Sequence, residues 1–527
     1  MIACEQEFLK ASGKLEQLIQ TVRQAGREMQ RIDEVERTVF AELLAMGLHL
    51  VKAFVAHAGQ GDVGQTLEVP AAVEESPSSN AEPVAATRTL RRLPQPHTRR
   101  YVSIFGELTI TRFVYGTREG QRIEAVPLDA RLGLPEGEFS YLLEDWQQRL
   151  CLKESFGEAT RDLAELLGVS PSVRAAEVMN RQMASFAPSF RLHQPPPPAD
   201  EEGELIVFTA DGKGVPMRRP CGEKLPHGQR RTKGQKASKK QMSYVGAVYS
   251  IDRFVRSPQD VLEELARTEA AQDRPPPQHK RMSVEMTHLL EGEECNGRVS
   301  LFGQLSDEIR DRNPGERKTV VAVMDGERAL WEVLKTFLPS AIGVLDLFHV
   351  LERLWKAAHV FHAEGSPGAE TFVADHLRLL LEGAVDRVIQ GFRQRLRQHA
   401  LSGPKRKALE AVITYYANNR DHMRYGEYLA AGYPIGSGVA EGACRHVVKD
   451  RMDLTGARWS LEGAEAVLRL RSLRASGDFA DYWLFHEKHE YLLNHAFSYA
   501  RGRPPKTLRP TPPKPAARAH LRVVPRA

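Results

Sequence analysis

The run LIVFTADGKGVPM at residues 205–217 places an apolar strand pattern directly before Asp211. A second run, TVVAVMDGE at residues 319–327, places Asp325 directly after another apolar strand pattern. Carboxylates at the ends of buried strands face the open edge of an α/β sheet, where sites form. The two runs therefore predict an α/β domain with acidic residues at one edge of its sheet.

Strand and helix patterns alternate around these two runs, as in an α/β domain. Tyr244–Val255 predicts one or two further strands, and Ala341–Leu345 predicts a buried strand before Asp346. A helical pattern is expected from Val284 onward, before the strand of the second run. Residues 348–432 are almost purely helical in pattern, so a long helical segment is expected to follow the strands.

The N-terminal part combines helical patterns with a hairpin pattern. Residues 14–57 carry apolar residues at three- and four-residue spacing, which predicts a helical hairpin, a dimerising helix or simple core packing. Residues 59–100 are rich in Pro, Ser, Ala, Glu and Gly and indicate a linker. Residues 101–115 alternate apolar and polar side chains across Gly106-Glu107, which predicts a β-hairpin.

Residues 139–186 return to a helical pattern with a short break. Gly168 is expected to close one helix, while Ser170 caps the next, with Pro171 at its first position. Two helices joined by so short a turn are typical of a helix-turn-helix, and an ordinary helical hairpin explains the same pattern.

Composition excludes several classes of protein. The chain has 527 residues, 42% of them hydrophobic and 27% charged, which is ordinary globular usage. The longest charge-free apolar runs reach about half of the ~20 residues that a membrane-spanning helix needs, so no membrane partner is expected. The five scattered cysteines form no CxxC pair, which argues against a disulfide framework or a zinc ribbon and fits a reducing cytoplasm.

The net charge of +5 hides two basic blocks on a slightly acidic body. Residues 212–240 hold ten Lys or Arg against one acid, and residues 501–527 hold eight and no acid. Such blocks suggest a polyanionic partner, although solvated or disordered basic stretches show the same composition.

Three acids form the candidate site: Asp211, Asp325 and Glu441. Glu441 lies one turn into a helix that Ser437 can cap. Mg²⁺ prefers a few carboxylates together with water and phosphate oxygens, and two such ions activate an attacking oxygen and stabilise a leaving one. Each acid alone is also compatible with a structural role, because Asp-Gly is common in turns.

Four motifs carry a family resemblance. They are DGKGVPM at residues 211–217, MDGE at 324–327, DLFH at 346–349 and YPIGSGVAEGACRHVVKDRMDLTGARWSLEGAE at 433–465. Together they resemble the DDE transposases of bacterial insertion sequences, most closely the ISKra-type group, a relative of Mutator-like elements. The resemblance spans about residues 100–485.

The resemblance implies an α/β, RNase H-like catalytic core with an all-helical insertion, preceded by mostly helical N-terminal DNA-binding modules. It makes Asp211, Asp325 and Glu441 the metal-binding catalytic triad, with two Mg²⁺ ions or Mn²⁺ in their place. The implied partners are double-stranded DNA, as element terminal inverted repeats and target DNA, and further copies of the chain on that DNA. The implied location is the bacterial cytoplasm, at the nucleoid when bound.

The expected organisation follows from these patterns and the resemblance. It comprises an N-terminal helical region at 1–58, a linker at 59–100, a hairpin and helix-turn-helix-like region at 101–194, the first part of the core at 203–347, the helical insertion at 348–432, the last part of the core at 433–500 and a basic tail at 501–527.

Asp346 and His349 are possible auxiliary residues, since they resemble the C/D-x-x-H motif of this wider group. Asp346 is the rival of Asp325 for the second metal position. Asp325 is preferred, because the strand order puts it on the neighbour of the Asp211 strand.

Candidate DNA contacts lie near the triad in sequence. Lys213 shares a strand face with Asp211, Arg445 and Lys449 share the Glu441 helix face, and solvated surface charges are the alternative for these cations. Trp459 is either a base-stacking residue or a core tryptophan. The remaining candidates are Arg230, Arg231, Lys233 and Arg458.

Two other functions stay open at this stage. One is a catalytically silent DNA-binding protein derived from a transposase. The other is an RNase H-like nuclease without strand transfer.

Overall fold

The computed structural model describes residues 2–71, 87–117, 123–169, 171–218, 240–266, 273–290, 293–436, 438, 442, 444–454, 456–499 and 501–508. Several predicted residues lie outside these ranges: Ser170, Arg230, Arg231, Lys233, Ser437 and Glu441. The chain is mixed α/β and divides into two compact units, Met1–Cys151 with Phe156–Ala176 and Leu484–Ala527, and Leu152–Ser155 with Glu177–Trp483.

The first unit begins with two antiparallel helices, α1 (Ile2–Arg27) and α2 (Ile32–Ala58). Their ion pairs fix the direction, since Lys14 lies 2.8 Å from Glu42 and His49 lies 2.7 Å from Glu7. Of the three alternatives that the sequence left open, the structure shows the helical hairpin. The expectation that no segment is long and apolar enough to cross a membrane is wrong, because α2 meets both conditions. Buried core helices of soluble proteins and signal sequences pass the same test, and the absence of a membrane partner stays a prediction.

The predicted linker at 59–100 is wrong over much of its length. It contains the strands β1 (Thr66–Pro70) and β2 (Thr87–Arg92), which pair antiparallel along their whole length, and it contains the start of β3 (His97–Ser103). The buried side chains of Leu67, Val69 and Leu90 pack into the core beneath this sheet. Leu67 and Val69 alternate with exposed residues, as in a half-buried strand, but the polar composition of the segment obscured this pattern. Residues 72–86 lie outside the described chain.

The predicted hairpin is confirmed, with its turn slightly earlier than expected. Strand β3 pairs with β4 (Gly106–Arg112), from His97–Arg112 to Ser103–Gly106. Gly106 begins the second strand with φ +130°, a conformation that favours glycine. Strand β5 (Tyr115–Gly116) pairs with β2.

Five helices follow this hairpin: α3 (Pro127–Leu132), α4 (Tyr141–Cys151), α5 (Phe156–Leu167), α6 (Val173–Ala184) and α7 (Ala187–His193). The break between α5 and α6 lies where the sequence predicted it, and Gly168 has φ +70°. The expected cap, Ser170, is wrong. The cap is Ser172, whose hydroxyl accepts a hydrogen bond from the Ala175 N–H at 3.1 Å, so Pro171 precedes the helix. The choice between helix-turn-helix and ordinary hairpin stays a prediction.

The second unit is built on a five-stranded sheet. Its strands are β6 (Leu205–Pro216), β7 (Lys240–Ile251), β8 (Gln278–Met286), β11 (Thr319–Met324) and β12 (Ile342–Leu345). The strand order is β12-β11-β6-β7-β8. Strands β6, β7 and β8 are antiparallel neighbours, and β11 and β12 join them parallel to β6. The short strands β9 (His288–Leu290) and β10 (Glu293–Cys295) form a separate pair.

The helical pattern expected from Val284 is wrong. Residues Met282, Val284 and Met286 are buried and alternate with more exposed polar neighbours, so this segment is the edge strand β8. The next helix begins only at Gly297, as α9 (Gly297–Arg312), after α8 (Pro258–Ala266). A third helix, α10 (Arg328–Phe337), connects β11 to β12.

The predicted helical segment after β12 is confirmed. It consists of α11 (Leu347–Phe361), α12 (Pro367–Leu381), α13 (Val385–Gln398), α14 (Gly403–Asn419) and α15 (Tyr425–Ala430). These helices share one continuous hydrophobic core with the sheet. The chain ends in a π-helical turn α16 (Cys444–Lys449), α17 (Asp450–Met452), α18 (Leu461–Ser476) and α19 (Phe479–Asn494).

Two tyrosines tie the helical segment to the edge of the sheet. The Tyr425 hydroxyl donates to the Leu345 carbonyl at 2.7 Å, and the Tyr428 hydroxyl donates to the Gly343 carbonyl at 3.0 Å. Both carbonyls belong to the edge strand β12, whose unpaired groups would otherwise need other partners. The helices α11–α15 therefore pack as part of the same unit as the sheet.

Candidate active site

The register of the parallel strands places three aspartates side by side, at the same position along the strand direction. Phe208 of β6 pairs with Ala322 of β11, so Asp211 and Asp325, each three residues further on, lie side by side. Met324 of β11 pairs with Leu345 of β12, which places Asp346 beside Asp325 in the same way. The order across the sheet edge is therefore Asp211, Asp325, Asp346.

The sequence predicted that Asp211 follows its strand, but Asp211 lies inside strand β6. Strand β6 continues to Pro216 because β7 pairs with it along its full length, and Asp211 is opposite Val245. The Asp211 Oδ1 atom accepts a hydrogen bond from the Gly212 N–H at 2.6 Å. The carboxylate is thus held on a long hairpin and remains partly exposed.

Asp325 follows β11 directly, as predicted, and is partly exposed. Its Oδ1 atom accepts a hydrogen bond from the Glu327 N–H at 2.9 Å. Burial raises the pKa of Asp325, and the negative charge of Asp211 raises it further, while the Glu327 N–H, His349 and Arg353 act in the opposite direction. The pair of aspartates therefore carries a like-charge repulsion that its neighbours offset only in part.

Asp346 has a different environment from Asp325. It is fully buried, and its Oδ1 atom accepts from the Phe348 N–H at 2.7 Å, which caps α11. Its own N–H donates to the Met324 carbonyl at 2.9 Å. Asp346 therefore holds the start of α11, whereas Asp325 is the more accessible of the two rivals and lies next to Asp211.

His349 lies near Asp346. Its Nδ1 atom is 4.0 Å from the Asp346 Oδ1 atom and has no hydrogen-bond partner within the described chain. Its charge is also one of the influences that lower the pKa of Asp325. The auxiliary pair predicted from the sequence therefore lies close to Asp325, with His349 near Asp346 and acting electrostatically on Asp325.

Cys444 brings the last motif to Asp211. The thiol is buried and hydrogen-bonds the Asp211 carboxylate, and burial followed by the Asp211 charge raises its pKa well above the usual range. Lys213 acts in the opposite direction on the pKa of the same thiol, and it shares a strand face with Asp211 because the two are two residues apart in β6. Cys444 is three residues after Glu441, which itself lies outside the described residues.

Cys444 also begins a π-helical turn, Cys444–Lys449. Such turns are rare and occur often at functional sites. The turn carries Arg445, Lys449 and His446 on the exposed side, and Val447 and Val448 on the buried side. The predicted phosphate contacts Arg445 and Lys449 are therefore accessible.

Glu327 is a carboxylate that the sequence analysis did not single out. Burial raises its pKa, the Asp325 and Asp211 charges raise it further, and Arg298, whose Nη1 lies 3.7 Å from Glu327 Oε1, lowers it. The signal was available, because Glu327 follows Asp325 by two residues in the quoted MDGE motif.

Tyr415 of α14 is a second missed residue. A Cβ atom on Gly326 would lie 2.6 Å from the Tyr415 hydroxyl oxygen, so this contact requires glycine. Tyr415 is hydrogen-bonded to the Gly326 backbone, and burial and the Asp325 charge raise its pKa to about 12. Arg353 of α11 lies over the same ring at 4.8 Å from its centroid. No sequence pattern links residues so far apart.

Trp459 is buried, with only 8% of its surface exposed. Its indole N–H donates to the Met452 carbonyl at 3.0 Å, and Arg451 lies over its ring at 4.8 Å. Its backbone extends the end of β6 by hydrogen bonds to Pro216 and Arg218. Of the two alternatives for Trp459, the structure shows a core tryptophan, and base stacking by this ring stays a prediction. The preceding residue, Arg458, is exposed.

Within the described ranges, no group of three or more His, Cys, Asp or Glu side chains is arranged to hold a metal ion. Comparison of the chain with models of known protein families gives no match, and comparison with curated proteins gives none either. The functional argument therefore depends on the geometry of Asp211, Asp325 and their neighbours.

Proposed function

We propose that this chain is a DNA transposase of a bacterial insertion sequence. It cuts element ends and joins their 3′-hydroxyls to target DNA by metal-dependent phosphodiester chemistry. The observation that carries the proposal is that Asp211 and Asp325 lie side by side on adjacent parallel strands. Cys444, three residues after Glu441, is hydrogen-bonded to Asp211. The sequence motifs at 211–217, 324–327 and 433–465 add the resemblance to DDE transposases.

The sheet supports an RNase H-like core. Three antiparallel strands are followed by two strands parallel to the first, and both parallel strands join on the β6 side. In this arrangement α11–α15 form an insertion between the second and third acids. The order places Asp325, and not Asp346, on the strand adjacent to Asp211, which favours Asp325 as the second acid.

The two described carboxylates, Asp211 and Asp325, support a divalent-cation site in this proposal. Asp211 and Asp325 repel one another and raise the pKa of Asp325, a cost that a bound cation removes. Mg²⁺, or Mn²⁺ in its place, would be held by these two carboxylates and by Glu441. Two such ions supply an activated attacking oxygen and a stabilised leaving oxygen.

The surrounding cations are assigned to the DNA backbone in this proposal. Lys213 shares a strand face with Asp211 and acts electrostatically on Cys444, and Arg445, Lys449 and Arg458 are exposed. Cations next to a carboxylate site offset the repulsion between the acids and the approaching phosphates. The basic residues Arg230, Arg231 and Lys233, together with the 501–527 tail, would add affinity without sequence preference.

The partners follow from the reaction. The enzyme would bind terminal inverted repeats through the mostly helical N-terminal modules, and it would act on target DNA as a homo-oligomer, because two element ends must meet. A cytoplasmic, nucleoid-associated location is proposed with it, and no membrane is part of the account.

The test uses a supercoiled plasmid that carries the coding region with its genomic flanks. We expect the wild-type chain with Mg²⁺ to nick at the element ends and to form joined products with a second duplex. Nicking without joined products would favour the RNase H-like nuclease, and binding without nicking would favour the silent DNA-binding protein. The Glu441→Gln variant is expected to bind the same DNA and to lose nicking.

A further inference from the structure

A groove of about 400 Å³ lies between α11 and α14 in the helical insertion. Helix α11 contributes Arg353, Lys356, His359 and Val360, and α14 contributes Pro404, Lys405, Ala408, Ala411 and Val412. Four of these nine described side chains are basic and none is acidic. We call this feature the insertion groove, and its charge is complementary to an anion.

The insertion groove connects to the candidate site through α11. His349, Arg353 and Lys356 follow one another at four- and three-residue spacing, so they lie on one face of the helix that Asp346 caps. Arg353 lines the groove and also acts electrostatically on Asp325. These basic side chains therefore form a track that begins near the carboxylates and leads away from them.

The length of this track suits a stretch of nucleic acid. From His349 to His359 the helix advances ten residues, or about 15 Å. A B-form strand advances about 3.4 Å per nucleotide, so the track matches roughly four nucleotides. A single small anion would not require cations over this length.

The α14 side adds favourable backbone groups. Helix α14 has 17 residues and begins at Gly403, and the Ser402 side chain makes no capping hydrogen bond. Its first turn, with Pro404 and Lys405, lines the groove, so the positive end of the helix dipole faces the same space. On the opposite wall, the His359 Nδ1 atom is buried without a hydrogen-bond partner in the described chain.

The floor of the groove indicates which part of a nucleic acid fits. Val360, Ala408, Ala411 and Val412 are small and aliphatic, and the aromatic ring in the described lining, the His359 imidazole, is already stacked on Trp355. Lys356 has only an exposed partner, Glu352, and such a pair is worth little and is readily exchanged for a phosphate. The chemistry present recognises phosphates and not bases.

We propose that the insertion groove binds backbone phosphates of the DNA strand that flanks the bond to be cut. The inference rests on the proposed function, because it takes DNA as the molecule that reaches Asp325. Binding there is independent of base sequence and positions the strand so that it enters the site along α11.

The experiment measures binding of the full chain to a labelled 40-base-pair duplex from the genomic flank, in EDTA and at several salt concentrations. Lys356→Ala with Lys405→Ala is expected to weaken binding by roughly tenfold and to reduce the slope of log K against log salt by about 1.8, or 0.9 for each lost contact. Lys356→Arg with Lys405→Arg is expected to restore both quantities.

The matched control is Arg274→Ala with Arg310→Ala. These two arginines are exposed, each has one acidic partner, and both lie outside the groove. We expect this variant to keep the wild-type affinity and slope. If it loses as much as the lysine variant, the effect is general surface charge and the groove assignment is wrong.

Further arms separate the sources of phosphate and the two proposals. Groove-dependent binding of ATP, with DNA binding unaffected by the lysine substitutions, would overturn DNA as the ligand. Unchanged affinity and slope in the lysine variant, with normal wild-type nicking, would refute the groove and leave the proposed function standing. A groove effect on DNA binding without wild-type nicking would refute the function and leave the groove, and failure of the wild type to bind DNA would overturn both.

Discussion

Asp211 and Asp325 lie at the same level on two adjacent parallel strands, each three residues beyond the paired residues Phe208 and Ala322. Their mutual repulsion is visible in the raised pKa of Asp325, which burial causes first and Asp211 increases. The relationship combines a rigid sheet register with an electrostatic cost. Such a cost is expected where a cation or a proton is needed for function.

Replacing Asp325 with Asn is expected to stabilise the metal-free protein at pH 7. A carboxyl group whose folded pKa is raised costs stability once the pH exceeds the folded pKa, and this cost disappears as the pH falls towards the ordinary value of 3.8. Thermal unfolding in EDTA should therefore show a higher Tm for Asp325→Asn than for the wild type at pH 7, with the difference shrinking at acid pH. Asp307→Asn, at an exposed carboxylate, serves as the control, and a lower Tm for Asp325→Asn would contradict the repulsion.

Mg²⁺ is expected to raise the Tm of the wild type and to have little effect on Asp325→Asn. A ligand that binds only the folded state stabilises it, by about 2.7 kcal/mol at a hundred times its dissociation constant. The measurement is the Tm of both proteins over a Mg²⁺ titration. An equal rise in both proteins would show that the ion binds elsewhere.

Asp346 is expected to act on stability through its cap. Asp346→Ala removes the acceptor for the Phe348 N–H and should lower the free energy of unfolding by about 1–2 kcal/mol, whereas Asp346→Asn keeps an acceptor and should cost less. Urea unfolding measures both. Ser366→Ala, at the partly exposed cap of α12, is the control and gives the loss of unfolding free energy for a cap that is not fully buried. Equal losses of unfolding free energy in Asp346→Ala and Asp346→Asn would show that the charge matters more than the cap.

Gly326→Ala is expected to destabilise the protein by about 1–3 kcal/mol, because its Cβ would meet the Tyr415 ring. In a Tyr415→Ala background the same substitution should cost much less, and the double-mutant cycle gives the coupling. Gly391→Ala in α13 is the control, since nothing lies within 4 Å of its Cβ position, and it should be neutral or stabilising by up to about 1 kcal/mol. Additive effects of the Gly326 and Tyr415 substitutions would contradict the contact.

The sequence could predict β6 and β11 because both are continuous apolar runs that stop at an aspartate. It could not predict their register, which depends on hydrogen bonds between residues more than a hundred positions apart. The alternation of Met282, Val284 and Met286 in β8 is a strand signal that the helical interpretation overlooked, and β2 was missed because its sequence, TRTLRR, has one buried apolar residue.

The site was predictable to a similar depth. Asp325 and Asp346 follow strands, Asp211 follows the apolar run of β6 and His349 comes three residues after Asp346, so their proximity could be inferred from the chain order. Tyr415 reaches Gly326 only through the packing of α14, for which no local signal exists. Its role therefore required the tertiary structure.

Tyr425→Phe is expected to cost about 1–3 kcal/mol, because it leaves the buried Leu345 carbonyl without its donor. Loosening this end of β12 should also loosen Asp346, which follows it directly. Tyr433→Phe is the control, since its hydroxyl has no hydrogen-bond partner in the described chain, and it should change stability by less than about 0.5 kcal/mol. Equal urea midpoints for Tyr425→Phe and the wild type would contradict the proposed anchoring of the edge strand.

In the proposed function, Asp325 and Asp211 together make the Mg²⁺-dependent site for DNA cleavage. The most direct test of this site is the single-turnover nicking rate of preformed complexes with the flank-bearing DNA, compared for the wild type, Asp325→Asn and Asp346→Asn. The account predicts a loss of roughly 10³-fold for Asp325→Asn with DNA affinity within about twofold of the wild type, and a much smaller loss for Asp346→Asn. Nicking by Asp325→Asn at the wild-type rate would contradict it.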